Sequence, residues 1–215
     1  MLNGSSAIHL RYALALAALV GIATAVEARP PGCNDSVLPP DQRWNGATTY
    51  STPELDRFYS LSAKMSAAYK ADQLGAADAL AQEYLQLAKR FPCNWNYGNA
   101  IHNANSILGL VALRNARKAE AVSYLAASGV TPGSPQLNTF GPSLLLAREL
   151  AKVGEHKAAA NYLRSVQRFW KARDMSTTGL LFPYLADPDP ISTWIKELDK
   201  GRVPDFGAPF NADPP

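Results

Sequence analysis

The sequence predicts an all-α protein built from antiparallel helical hairpins. From Thr52 to Lys200, apolar residues recur at the three- and four-residue spacing of helices that bury one face. Residues that cap or break helices separate these stretches, so consecutive helices reverse direction. Alternating apolar and polar runs are few, and β-branched residues are scarce outside the predicted loops. We therefore expect about three hairpins and one C-terminal capping helix.

The first hairpin is predicted to begin at Thr52. Thr52 is a suitable N-cap, and Pro53 occupies the first helical position, where a missing N–H costs no hydrogen bond. The segment 72–75 interrupts the apolar periodicity and predicts the turn. Arg90 and Pro92 end the second helix, because a basic side chain suits the carbonyl end of a helix and proline does not continue it.

Two further hairpins and a last helix follow from the same signals. They are predicted over these ranges: 99–114 and 118–127 with a turn at 115–117, from near Pro142 to Trp170 with a turn at 153–154, and 191–200. Gly201 is the predicted C-cap of the last helix, because glycine adopts the left-handed geometry found there. Trp170 has two interpretations: it forms an exposed docking patch, or it is buried under the helix that contains Trp194. The second is preferred, because the last hairpin of a stack has no further hairpin to cover it.

The first 28 residues predict a secretory signal peptide. His9 and Arg11 give a basic start, an apolar run covers 12–23, and small residues up to Ala28 suit a signal peptidase. The alternative is a retained anchor, but a spanning helix needs about 20 apolar residues. This run is shorter and leads into Pro-Pro-Gly at 30–32. We therefore expect cleavage and a periplasmic or secreted protein.

The remaining chain is predicted to have three parts: an extended arm over 29–52, a helical domain over 53–202 and a tail over 203–215. Cleavage would remove Arg11 and Glu27 and leave the formal net charge at +3, with the basic residues scattered. This balance does not favour a nucleic acid or an anionic membrane surface as partner. No other apolar stretch of the sequence is long enough to span a bilayer, so no stable membrane insertion is expected after cleavage.

Cys33 and Cys93 are the two cysteines of the chain, and they predict a disulfide. An even pair in an exported protein is typical of a structural crosslink. The alternative is a metal site, for which two separated cysteines without a pair of histidines are a poor ligand set. Closing the loop between them would contribute up to about 4 kcal/mol. The bond would hold the arm against the helical domain.

Two of the hairpins share a pattern of small residues. Gly109 and Ala121 occupy the second hairpin, and Ala147 and Ala159 occupy similar positions in the third. The pattern resembles the tetratricopeptide repeat, in which small residues let paired helices cross closely. The first hairpin aligns less well, and the second and third units are longer than the usual repeat by residues in the loop 131–138. The resemblance implies a right-handed stack of hairpins.

Two further segments carry the same resemblance. The sequences NYGNAIH at 96–102 and PGSPQLN at 132–138, the latter followed by Phe140, Gly141 and Pro142, are similar to segments of exported bacterial proteins of tetratricopeptide-like type. The resemblance supports the fold and brings no activity with it. The alternative is an ordinary bundle of helical hairpins.

The resemblance also implies where a partner binds. The first helix of each pair lines the concave face in tetratricopeptide proteins, and here it would carry Asn103, Ser106, Leu110, Arg114, Leu144, Arg148 and Lys152. Basic side chains with a nearby amide hold carboxylates through charge-assisted hydrogen bonds. The family sometimes grips a peptide C-terminus in this way, although these residues do not reproduce that clamp. The alternative is a solvated helix face. The predicted function is a non-catalytic protein- or peptide-binding module, or an assembly scaffold in the envelope.

Catalytic motifs are missing from the sequence. It contains no Gly-x-Ser-x-Gly elbow, phosphate-binding glycine loop or His-Glu-x-x-His helix, and we predict no catalytic residue, cofactor or metal site. His102 is a possible acid–base group, but a structural role with Asn99 at the start of its helix is preferred. The alternative function is a peptidoglycan hydrolase that uses acidic side chains. The acidic residues of the predicted helices are mostly solitary and lie on faces expected to be solvated, among them Glu83, Glu120, Glu149 and Glu155.

Overall fold

The structure is a computed structural model that describes Cys33 and the ranges 52–170, 189–207 and 214–215. These residues are helical without a strand, which confirms the all-α prediction. The helices are α1 (Pro53–Lys70), α2 (Leu74–Ala88), α3 (Tyr97–Arg114), α4 (Lys118–Ser128), α5 (Pro135–Phe140), α6 (Leu145–Lys152), α7 (His156–Val166) and α8 (Pro190–Asp199). The predicted signal peptide, and the predicted arm apart from Cys33 and Thr52, lie outside the described residues.

Three pairs of helices, α1–α2, α3–α4 and α6–α7, are each joined by a three-residue connection, and the members of each pair pack together. The pairs are also in contact with one another. Helix α3 packs on α1 and α2, while α6 and α7 pack on α4, and α8 covers α7. The result is one continuous helical body. Its assignment as a right-handed tetratricopeptide-like stack stays a prediction.

The three connections share one backbone geometry. Their middle residues, Asp72, Ala116 and Gly154, have positive φ angles of 59°, 58° and 92°. In each connection the residue after the middle one donates its N–H to the carbonyl oxygen five positions earlier, in the preceding helix, at an N···O distance of 2.9 Å. This bond and the left-handed residue form a Schellman motif. Glycine occupies the left-handed position in only one of the three, so sequence composition does not reveal the motif.

Small residues lie where helices approach closely, as the sequence predicts. Ala121, Ala147 and Ala159 are fully buried. A Cβ atom on Gly109 would overlap a methyl group of Leu146 in α6. The first hairpin differs, because Gly75 has no atom near its missing side chain and lies in the first turn of α2 rather than in the connection.

The loop expected between the second and third hairpins contains the short helix α5, which the sequence analysis missed. Ser134 is its N-cap, and the Ser134 Oγ atom accepts a hydrogen bond from the Leu137 N–H at 2.9 Å. Pro135 occupies the first helical position. These are the helix-start signals that identified α1, but in a loop rich in proline and glycine they were not recognised.

The segments 96–102 and 132–138 pack against each other. Gly98, near the start of α3, lies so close to Gly133 that a Cβ atom on Gly98 would overlap the Gly133 carbonyl oxygen. Gly133 itself has a φ of 86°. Thr131 reinforces the contact, because its hydroxyl donates to the Gly98 carbonyl at 3.2 Å. The backbones of α3 and the α5 loop therefore meet directly.

Aromatic side chains close the far end of the body. Trp170 is fully buried, and the ring centroids of Trp170 and Trp194 are 6.5 Å apart, so α8 covers this residue as predicted. Phe206 lies edge-on to Trp194 at 5.3 Å. Helix α7 ends at Val166, before the predicted end at Trp170, and a turn carries the chain onward. A Cβ atom on Gly141 would lie 2.5 Å from the Trp170 ring, so only glycine fits at this position. Helix α6 begins four residues later, at Leu145.

The predicted disulfide joins Cys33 to Cys93, whose Cα atoms are 5.4 Å apart. Cys93 lies just before α3, so the bond attaches the chain at Cys33 to the junction of α2 and α3. A structural disulfide is typical of proteins in oxidising compartments. Within the described ranges, no helix combines the length and the apolarity needed to cross a bilayer.

Replacing Ala116 with glycine is expected to stabilise the protein. A left-handed backbone costs a residue with a side chain about 1 kcal/mol, whereas glycine adopts it freely. Ala116→Gly should therefore raise the free energy of unfolding by about 1 kcal/mol in urea titrations. The control Ala79→Gly, at an exposed position inside α2, should lower it by about 1 kcal/mol. A loss of stability in both variants would contradict the turn geometry.

Replacing Gly98 with alanine is expected to destabilise the protein by about 3 kcal/mol, because the new methyl group overlaps backbone that has no rotamer to change. Urea denaturation of the oxidised protein measures this change. Gly75→Ala is the matched control, also in the first turn of a helix but with open space around it. It should be neutral or stabilising by up to about 1 kcal/mol. Equal effects in the two variants would contradict the close approach of Gly98 and Gly133.

Candidate functional site

Helices α1 and α3 lie side by side and run in the same direction. The Asn103 Nδ2 atom donates to Ser62 Oγ at 2.9 Å, and Arg114 Nη2 donates to Asp72 Oδ1 at 2.6 Å. Ser62 precedes Asp72 in the sequence, and their partners Asn103 and Arg114 follow each other in the same order. The two helices are therefore parallel. The two helices therefore present a common surface to one side.

We call this surface the α1–α3 face and define it by Ser62, Ser66 and Tyr69 of α1 with Asn103 and Arg114 of α3. The three α1 residues are spaced by four and then three positions, which places them on one side of the helix. All three are partly exposed. Arg114 donates a hydrogen bond to Tyr69, and this bond, with the negative charge of Asp72, raises the pKa of Arg114 above its ordinary value. The guanidinium therefore stays charged at every physiological pH.

The α1 side of this face is not predicted from the sequence. The predicted groove covers only α3 and α6, because the first hairpin fits the repeat pattern least well. The available signal was the spacing of Ser62, Ser66 and Tyr69, three side chains with hydroxyl groups on one side of a helix whose other side is apolar.

The residues of the predicted groove lie in two different environments. Ser106, Leu110 and Leu144 are buried in the helical body, so they support the face without reaching its surface. Arg114 and Lys152 are half exposed at the side chain, and Arg148 is about a quarter exposed. Together with Asn103, which is partly exposed, these basic residues form the accessible part of the predicted groove.

The basic residues of α6 share one acidic partner. Arg148 Nε donates to Glu149 Oε1 at 2.9 Å, and Lys152 Nζ donates to the same oxygen at 3.0 Å. Burial acts to raise the pKa of Glu149, but hydrogen bonds from Lys152 and Arg148 outweigh it and lower the pKa below its ordinary value. Glu149 is therefore ionised near neutral pH, and the cluster keeps one net positive charge.

A main-chain carbonyl is already bound on the α1–α3 face. The Ser66 hydroxyl donates a hydrogen bond to the carbonyl oxygen of Pro214 at 3.1 Å. Along α1, Ser66 lies between Ser62, which contacts Asn103, and Tyr69, which contacts Arg114. The two residues are 148 positions apart in the sequence, so no local sequence pattern predicts this contact.

A separate network of asparagines holds α3 against α1 and α2. Asn94 Nδ2 donates to the Tyr59 hydroxyl, and Asn96 Nδ2 donates to the Tyr84 hydroxyl, both at 2.8 Å. Burial is the main cause that raises the pKa of Tyr84 far above its ordinary value, so its phenol stays protonated. Both asparagines are buried and hydrogen-bonded, which indicates a structural role.

Asn99 extends this network to the α5 loop. Its Nδ2 atom donates to Asn96 Oδ1 at 2.9 Å and to Gln136 Oε1 at 3.1 Å. Its Oδ1 atom accepts from the Ser134 hydroxyl at 2.5 Å. Ser134 also caps α5, so one side chain links the cap of that helix to the first turn of α3. The predicted structural role of Asn99 is therefore observed, although its partners are more distant than the sequence indicated.

His102 is completely buried and links α3 to the end of α4. Its Nδ1 atom lies 3.2 Å from the Ser128 carbonyl oxygen. Because a carbonyl only accepts, Nδ1 carries the proton, and Nε2 is a buried acceptor without a partner in the described part of the chain. Burial lowers the pKa of His102 to about 4, against the opposing effect of the Ser128 hydrogen bond. A ring that stays neutral at pH 7 is a poor acid, so the structural interpretation is the better one.

No family model, curated protein or solved structure matches this chain. In the described ranges, no group of three or more His, Cys, Asp or Glu side chains is arranged to hold a metal ion. What the α1–α3 face does is therefore inferred from its own contacts.

Acid is expected to destabilise the protein through His102. Unfolding restores an ordinary pKa of about 6.5, whereas the folded value is about 4. The unfolded chain thus binds the proton more tightly, and the stabilisation present above about pH 6.5 is lost as pH falls through the folded value. Between pH 7 and pH 4.5 the loss should be about 2 kcal/mol, measured by urea denaturation at each pH.

The variant His102→Gln provides the comparison, because glutamine donates a hydrogen bond and does not titrate. It should be less stable than the natural protein at pH 7, yet lose about 2 kcal/mol less on going to pH 4.5. Parallel stability curves for the two proteins would show that His102 does not carry the acid sensitivity.

Proposed function

We propose that this protein is an exported helical-repeat protein that binds an extended protein or peptide segment on its α1–α3 face, as an interaction module or assembly scaffold of the envelope. The observation that carries the proposal is the hydrogen bond from Ser66 to the main-chain carbonyl of Pro214. A side-chain donor that holds a backbone carbonyl does not depend on the identity of the bound residue. It is therefore the kind of contact by which a helical surface binds an extended chain.

The arrangement of the helices supports the same function. In tetratricopeptide-like stacks the first helices of successive pairs run parallel along the binding surface, and α1 and α3 are parallel neighbours. The buried small residues Gly109, Ala121 and Ala147 fit the close crossings of such a stack. The disulfide at Cys33 fits an oxidising compartment outside the cytoplasm.

The charged residues define the partner chemistry. Arg114 is paired with Asp72, and Arg148 with Glu149, at exposed or partly exposed positions. Such surface pairs contribute little to stability, because water and salt screen the charges. A carboxylate on a partner can therefore replace Asp72 or Glu149 at small cost. The site suits an extended segment with at least one acidic group rather than a strongly anionic polymer.

The alternative of a peptidoglycan hydrolase is less well supported. The four acidic side chains considered for this alternative each form an ion pair with a basic side chain: Glu83 with Arg57, Glu120 with Arg117, Glu149 with Arg148 and Glu155 with Lys118. A general acid needs a raised pKa. The hydrogen bond from Arg57 instead lowers the pKa of Glu83, and that of Glu149 is also lowered. These environments favour binding over catalysis.

The double variant Arg114→Ala, Arg148→Ala is expected to reduce partner capture about tenfold. A photo-crosslinking residue at Ala63, which is exposed one helical turn before Ser66, would trap the partner in the native envelope, and the adduct would be quantified by blotting. The loss follows because two charge-assisted contacts disappear.

The double variant Lys89→Ala, Lys157→Ala is the control, since it removes the same charge from exposed positions outside both the α1–α3 face and the basic cluster of α6 that contains Arg148. It should leave capture unchanged. Unchanged capture in the first double variant, or an equal loss in the control, would rule out this face as the binding site.

A further inference from the structure

The chain returns to its first helix near residue 214. Pro214 accepts the hydrogen bond from Ser66, which lies 148 positions earlier in the sequence. Pro214 and Pro215 are both partly buried. These two prolines therefore lie against the helical body instead of projecting into solvent.

The start of the same tail is fixed at the opposite end of the body. Phe206 is fully buried against Trp194, and the Gly207 N–H donates to Asp205 Oδ1 at 2.9 Å. Residues 208–213 lie outside the described part of the chain. An extended chain covers at most about 3.5 Å per residue, so the path from Gly207 to Pro214 spans no more than about 25 Å. The tail thus connects the α8 cap, which packs on the last helical pair, with α1 in the first pair.

We propose that Pro214 and Pro215 occupy the α1–α3 face as an intramolecular ligand, which an external partner displaces. This inference rests on the proposed function of the same face. Pro214 lies on the part of α1 between the Ser62–Asn103 contact and the Tyr69–Arg114 contact, inside the site and not at its edge. A partner that uses the hydrogen-bond donors of the α1–α3 face therefore competes with the tail for them.

The chemistry of the tail suits this role. Proline has no N–H, so consecutive prolines offer only carbonyl acceptors, and the face offers donors on Ser66, Asn103 and Arg114. Prolines also favour an extended conformation and lose little entropy on binding. The external partner that best replaces the tail is accordingly an extended, proline-containing segment that ends near or contains a carboxylate.

Tethering strengthens the contact between Ser66 and Pro214, because both belong to the same chain. A short linker gives an effective concentration on the order of millimolar. A weak contact is then substantially occupied within the chain, while a free peptide with the same contacts binds poorly. Occupancy of the face lowers the apparent affinity of an external partner in proportion to the fraction of molecules in which the face is filled.

The test is a photo-crosslinking residue in place of Pro215 in the full, oxidised chain. At dilute protein concentration, irradiation followed by trypsin and mass spectrometry should give an adduct within one molecule to the tryptic peptide 65–70, which contains Ser66. A synthetic peptide with the sequence of residues 207–215, added at about ten times the effective concentration of the tethered tail, should reduce this adduct severalfold.

The variant Ser66→Asp replaces the donor with a carboxylate that repels the Pro214 carbonyl, and it should reduce the adduct at least fivefold. Ser123→Asp, on the exposed side of α4, introduces the same charge and should not change it. Adducts elsewhere in the chain, adducts between two molecules, insensitivity to Ser66→Asp or no competition by the peptide would each overturn the proposal.

This experiment fails separately from the test of the proposed function. An internal adduct from position 215, together with no partner captured at Ala63, would refute the binding function while leaving the tail on the face. Partner capture at Ala63 without the internal adduct would refute the intramolecular ligand and support the binding function alone.

Discussion

The contact between Gly98 and Gly133 determines how the helices of this protein are arranged. At that point the start of α3 touches the backbone of the α5 loop, with no side chain between them. The distance brings Ser134 within reach of Asn99 and Thr131 within reach of the Gly98 carbonyl. If the two backbones were separated by a methyl group, these hydrogen bonds would lengthen together. The asparagine network, and through it the position of α1, therefore depends on two residues that lack side chains.

Buried polar groups give this arrangement its specificity. Asn94, Asn96 and Asn99 each bond to a different element of the body, so a shifted helix would leave several buried amides without partners. His102 adds a further constraint, since only one placement of α4 brings the Ser128 carbonyl to its Nδ1 atom. An apolar core alone would permit small displacements of α3, whereas these bonds define one position.

Local signals in the sequence were sufficient to predict most helices. Thr52 and Pro53 mark a helix start that the structure confirms. Gly201 has the expected left-handed backbone, although the C-cap of α8 is Lys200, one residue before the predicted position. Helix α5 was missed because the same signals occur within a segment whose composition is that of a loop. The left-handed turns at Asp72 and Ala116 were not predictable, since tertiary packing imposes a backbone geometry that these residues do not prefer. The α1 half of the face and the return of Pro214 depend on contacts between distant residues, which periodicity does not reveal.

The contact between Ser66 and Pro214 has a practical consequence for work with this protein. An affinity tag or fluorescent protein fused after Pro215 would emerge beside the α1–α3 face. Such a fusion would cover the surface on which we propose that a partner binds, so a pull-down would recover less of that partner. Immobilisation through an exposed lysine on the outer helices, such as Lys157 of α7, leaves that surface open.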